Sequence, residues 1–241
     1  MLTAWQQPIF EHIARKLPFI REQPLSTYTF ACLLGDACYI FNGKTGSLFD
    51  LGLGAIHPGW MLTLGGIAAL FGNLVLLAAS DKVDSSTAEH GLITRALRFC
   101  HQAARLLTLN WRPRNPFILG FAALAFNGVA LFLDAFWEIL VFGFTPVAFL
   151  QGVNGLIIFI GLGAAMASRI VPRQEERGRL NAFAPKLLFY ATFISLFLGL
   201  LALAPFLLLN GLLFTLGNAA QHQYALRMQV LDREAAITAT I

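Results

Sequence analysis

Residues 146–179 read PVAFLQGVNGLIIFIGLGAAMASRIVPRQEERGR. From Pro146 to Ser168 there are 23 residues without a charged side chain, and then Arg169, Arg173, Arg177 and Arg179 follow in close succession. About 20 apolar residues make a helix long enough to cross the roughly 30 Å hydrocarbon core of a bilayer, where an irregular backbone would find no hydrogen-bond partners. The run therefore reads as a membrane span. The arginines that stop it read as its cytoplasmic anchor.

The same alternation recurs along the chain. Apolar stretches of near-spanning length lie at about 25–42, 59–80, 116–136, 145–168, 186–203 and 205–222. If these six are threaded through a membrane in order, the segments 1–24, 81–115, 169–186 and 223–241 fall on one side and carry all the Lys and Arg except Lys44. By the positive-inside bias that side is the cytoplasm. Composition agrees, since 57% of residues are hydrophobic and 12% charged, against about a quarter charged in an ordinary globular domain. Mean hydropathy is +0.66.

The expectation is an all-α, polytopic integral protein of the cell (inner) membrane. It has six transmembrane helices as three tandem hairpins, both termini cytoplasmic, and an amphipathic cytoplasmic helix between spans two and three. Residues 1–24 form a cytoplasmic amphipathic segment, 25–222 the membrane domain and 223–241 a cytoplasmic tail. Only Ala204 and Pro205 separate the last two apolar stretches. One straight helix over 186–222 would far exceed the bilayer core, so a tight hairpin at Pro205 is the better reading, with a single bent helix as the alternative. The first 24 residues carry Glu11, Arg15, Lys16, Arg21 and Glu22, which interrupt any signal-peptide core, so the mature chain is expected to start at Met1.

The amphipathic helix is read over 86–109. A 100° periodicity gathers Leu92, Ile93, Ala96, Leu97, Cys100, Ala104 and Leu107 on one arc, with Arg95, Arg98, His101, Gln102 and Arg105 opposite. Such a helix lies in the headgroup layer, with Arg95, Arg98 and Arg105 on lipid phosphates, or else packs on the cytoplasmic ends of the spans.

Small residues recur on the even spans. Gly65, Gly66 and Gly72 on span two, Gly155 and Gly161 on span four, and Gly211 and Gly217 on span six follow a shared pattern in which members seven positions apart share a helix face. Helices in lipid associate through close backbone approach, so these glycines are expected at helix contacts. Pro24, Pro116 and Pro185 are expected to open the odd spans, which would complete three parallel repeats.

Polar residues at membrane depth are few. Asp36 is the one acid well inside a span, and an intramembrane carboxylate is by default a functional candidate, protonated or bonded to a neighbouring hydroxyl or amide. Asn127, Gln151, Asn154 and Asn210 are the amides expected to line a polar path with it. Asn73 and Asn218 extend that set, and all of these amides equally well bond across helices. Asp134 and Glu138, at the outer end of span three, and Asp50 and His57, in the first outer loop, give the far face an acidic character.

Several classes are excluded as expectations. No Cys-x-x-Cys, His-x-x-x-His or clustered carboxylates indicate a metal, no nucleophile elbow indicates a hydrolase, and Leu51-Gly52-Leu53-Gly54 lacks the third glycine of a dinucleotide loop. No cofactor, no metal and no nucleic acid partner is expected, and an enzyme is disfavoured. Membrane lipids are the expected partners. The functional expectation is transport of a small solute or ion. The alternative is a non-catalytic accessory or assembly subunit, associated with other membrane subunits or with itself.

Overall fold

A computed structural model describes residues 6–45, 60–80, 92–108, 113–201 and 204–238. Expectations placed on Asp50, His57, residues 86–91 and the ends of the chain fall outside the described residues. Those that are described form an all-helical protein without strands. Its elements are α1 (Gln6–Lys16), α2 (Phe19–Glu22), α3 (Pro24–Thr45), α4 (Trp60–Ala79), α5 (Leu92–Leu107), α6 (Pro116–Phe142), α7 (Pro146–Ala167), α8 (Gln174–Leu201) and α9 (Pro205–Thr238). Within α4, and over the full lengths of α6, α7 and α8, four helices are long and apolar enough to cross a membrane.

Local chemistry sets the helix ends. The Asn115 side chain accepts from Ile118 N at 3.1 Å and Pro116 follows at the first helical position; Thr145 and Pro146 repeat the device on α7, with Ala148 N at 3.1 Å. Between them Gly143 ends α6 at φ 90°, which a side chain would resist. The α6–α7 connection is therefore a short cap, glycine and cap.

Six helices close into a ring in chain order, α3, α4, α6, α7, α8 and α9, with α9 returning to pack on α3. Every adjacent pair is antiparallel. Ser26 meets Ser80 and Asp36 meets Asn73 across α3 and α4; Gly65 meets Ala130 and Gly72 meets Gly120 across α4 and α6; Gln151 meets Asp134 and Gly155 meets Gly128 across α6 and α7. Asn154 meets Ser195 and Arg169 meets Asn181 across α7 and α8, while Gly35 meets Asn210 and Glu22 meets Arg227 across α3, its approach helix α2, and α9.

The last two helices settle the question at Pro205. Gly199 abuts Leu208, Gly211 abuts Leu196, Asn218 bonds to Leu188 O, and Gln229 Nε2 donates to Gly178 O. Residues 174–238 are thus two long helices folded back on each other, not one bent helix. Two boundaries move with them. Pro185 does not open its helix but sits inside α8, with Ala184 and Leu188 buried around it. The segment expected as a tail continues α9 to Thr238.

The small helices gather at one end of the ring. Phe10 of α1 packs on Phe189 at 5.4 Å and on His222 at 5.5 Å, and the Arg227 guanidinium donates to the carbonyls of Arg21 and Glu22 that end α2. Arg169 lies over the Tyr224 ring at 5.6 Å. Arg169 and Arg227 thus belong to this end, whereas Asp134 and Glu138 lie toward the opposite end of α6. The ring's outer surface is apolar: Phe126, Phe136, Trp137, Phe149, Phe159, Phe193 and Leu212 are all exposed. A contiguous apolar exterior around a partly polar interior is what lipid surroundings favour and water does not.

Helix α5 packs on α3 and α4 at the basic end. The face it turns inward carries His101 and Ala104, so His101 leaves the polar arc expected for it and is buried. Phe99, Leu106 and Leu107 are about 70% exposed, beside the exposed Arg95 and Arg98 and the half-exposed Arg105.

Candidate functional site

Two cavities are stacked along the ring axis. The outer, of about 30 Å³, is bordered by Asp36, Gly66, Asn127, Gln151, Asn154, Ser195 and Asn210 among others. The inner, of about 50 Å³, is bordered by Tyr28, Cys32, Asp36, Asn73, Asn127, Thr192 and Asn218 among others. Asp36, Asn127, Ile158 and Phe214 belong to both. At roughly 10–15 Å³ per enclosed water, each has room for a few waters or a small ion.

All five residues expected to form a polar path, Asp36, Asn127, Gln151, Asn154 and Asn210, border the outer cavity. Five helices deliver their polar groups to this axis through residues on their inward faces, and α4 adds Asn73 to the inner cavity. Asp36 is the only Asp, Glu, Lys or Arg buried among the described residues, and Asn73 Nδ2 donates to its Oδ2 at 3.0 Å. Beside it, Asn210 Nδ2 donates to the Gly35 carbonyl at 2.7 Å. That bond ties α9 to α3 at the depth of the carboxylate.

The remaining bonds form a column. At the outer end Gln151 Nε2 donates to Asp134 Oδ2 at 3.3 Å, and Asn154 Nδ2 donates to Ser195 Oγ at 3.1 Å. At the inner end Asn218 Nδ2 donates to Leu188 O at 2.9 Å and closely contacts Thr192 Oγ1. The oxygens of Asn73, Gln151 and Asn154 are buried and have no hydrogen-bond partner. Leaving a buried acceptor unmet costs about 1–3 kcal/mol, so Gln151 and Asn154 at the outer cavity and Asn73 at the inner one are acceptors that a donor or a cation would satisfy.

Glycines make the ring tight enough to enclose this axis. A Cβ at Gly155 would stand 2.6 Å from Gly128 O and Phe132 N, one at Gly65 2.6 Å from Ala130 Cβ, one at Gly72 2.7 Å from Gly120 O, and one at Gly211 2.7 Å from Leu196. Gly161 faces Leu188 at 3.0 Å; Gly217 lies in ordinary contact with Cys32; Gly66 borders the outer cavity. Sequence reading missed the partners Gly120, Gly128 and Gly199, and the hydroxyls Thr192 and Ser195. The eight-residue spacing of Gly120 and Gly128 and the three-residue spacing of Thr192 and Ser195 each define one helix face, which was the available signal.

The described residues contain no cluster of three His, Cys, Asp or Glu that could hold a metal ion. No protein-family model, curated protein or solved structure matches the chain. Its class therefore rests on its own geometry: an all-helical protein with several helices apolar enough to cross a membrane.

Proposed function

We propose that this chain crosses a cell membrane six times, with both ends and α5 on the cytoplasmic side, and passes a small ion along the ring axis through Asp36. The observation that carries the reading is the position of that carboxylate, the one buried charged residue described, in the wall of both cavities at once. A group that borders two chambers is suited to take an ion from one and release it to the other. Phe214 and Ile158 also border both cavities and are suited to act as an apolar barrier between them. The size of the cavities favours an ion over an organic solute.

In this reading α5 lies in the cytoplasmic headgroup layer. Phe99, Leu106 and Leu107 enter the acyl boundary, while Arg95, Arg98 and Arg105 meet lipid phosphates. The same exposed apolar strip supports a second reading, an accessory subunit that docks a partner there.

The test is ion flux in liposomes containing the purified chain, driven by an imposed potential and followed with entrapped pH- and sodium-sensitive dyes. Flux is expected in the native chain and absent in Asp36→Asn. Equal flux in both would remove Asp36 from the path. No flux in the native chain, together with constant co-purification of other polypeptides, would favour the subunit.

A further inference from the structure

We propose that the outer cavity is a binding site for a small monovalent metal cation, held by the side-chain oxygens of Gln151, Asn154 and Asp36. The inference rests on the reading of Asp36 as the ion-carrying group and names the ion's class and its ligands.

Amide orientation is the first support. An ionised carboxylate only accepts, so Gln151 must turn its amino group toward Asp134, and the 3.3 Å bond leaves Oε1 facing elsewhere. Asn154, one turn along the same face of α7, is held by its amino group to Ser195 Oγ at 3.1 Å, which leaves its Oδ1 over. Both residues are well buried, at 2% and 7% exposure, and both oxygens lack partners. Both amides are on one helix turn and border the same small chamber, and neither oxygen is taken by another protein group.

The chamber's charge is the second support. Asp36 borders the same cavity, and no Lys or Arg borders it. Where Asp36 is ionised, a bound cation supplies the counter-charge that burial otherwise denies it, which neutral water would not. Hard cations without a strong geometric demand are bound by just this mixture of carboxylate and amide oxygens. The volume of about 30 Å³ admits one alkali ion with a water or two, and excludes an organic ammonium.

The full chain in phosphatidylcholine nanodiscs tests this, with sodium, lithium, potassium and choline chlorides as probes at constant ionic strength. Saturable binding of radioactive sodium is expected, with a rise in unfolding midpoint that choline does not produce. Gln151→Leu and Asn154→Leu should each weaken sodium binding about tenfold or more, from the loss of one charge-assisted contact. Gln151→Ala and Asn154→Ala remove the same oxygens without added bulk and should weaken binding likewise, which covers the case in which the leucine variants fail to fold. Failure of sodium to bind the native chain, or equal affinity in native and leucine variants, would overturn the site. Proton flux through Asp36 without sodium binding refutes this site and leaves the proposed function standing. Sodium binding at these residues with no flux of any ion upholds the site and refutes the function.

Discussion

Substitution of Gly128 by Ala puts the helix ring to its most direct test. A Cβ at Gly128 would lie 2.6 Å from Phe159 N, 2.7 Å from Gly155 O and 3.0 Å from Phe159 Cα, all backbone atoms of α7 that no rotamer change can move aside. Ordinary contact begins at 3.4 Å, so α6 and α7 must separate by roughly 0.8 Å along a tightly packed seam. Overpacking of this kind costs about 1–3 kcal/mol. Taking about 2 kcal/mol, a chain of this size should lose on the order of 4–8 °C in unfolding midpoint. Gly178 provides the control. Nothing lies within 4 Å of its Cβ position, so Gly178→Ala should gain about 0.5–1 kcal/mol from helix propensity and raise the midpoint slightly. Thermal unfolding in mild detergent, with the two variants side by side, reads both signs. If Gly128→Ala is as stable as the native chain, the close α6–α7 approach is wrong, and with it the enclosure of the axis.

Other outcomes follow from single contacts. Asp36→Asn keeps a hydrogen-bonding group beside Asn73 and should fold at near-native stability, whereas Asp36→Ala strands the Asn73 amino group at a cost of about 1–3 kcal/mol, measurable in the same thermal assay. Asn218→Leu removes bonds to Leu188 O and Thr192 and should destabilise by about 0.6–1.7 kcal/mol, the range for polar contacts between membrane helices; a loss of several kcal/mol would point to a larger role. With Trp introduced as Phe99→Trp, fluorescence should be quenched by lipids brominated near the headgroup, and Arg95→Ala with Arg98→Ala should weaken α5's attraction to anionic lipid by about 2 kcal/mol. Cysteines placed at Gln229 and at Gly143 should react with impermeant reagents from opposite faces of sealed vesicles; labelling from one face would refute the six-span threading.

The legibility of the site was uneven, for physical reasons. Asp36, Asn127, Gln151, Asn154 and Asn210, which all border the outer cavity, stood out in the sequence because polar side chains are rare within long apolar runs. Thr192 and Ser195 did not, because hydroxyls are cheap in apolar helices and carry no such signal. Pro185 misled: proline is favoured at helix starts, but in α8 the surrounding bundle keeps the helix continuous through it. His101 misled in the opposite way, since periodicity located α5's apolar arc but not which edge of it would meet the bundle.

Sequence by itself pointed to an all-helical protein with apolar helices long enough to cross a membrane, four of which the structure contains, in α4, α6, α7 and α8. Those properties follow from run length, charge placement and the energetics of lipid, which act on each segment independently. Only tertiary structure decided that α9 returns to α3 and closes the ring, and that Asp36 borders two chambers. It also decided that the glycines of α4, α7 and α9 meet partners on other helices. Closure and enclosure depend on which faces of six helices meet, and composition does not encode such pairings between distant residues.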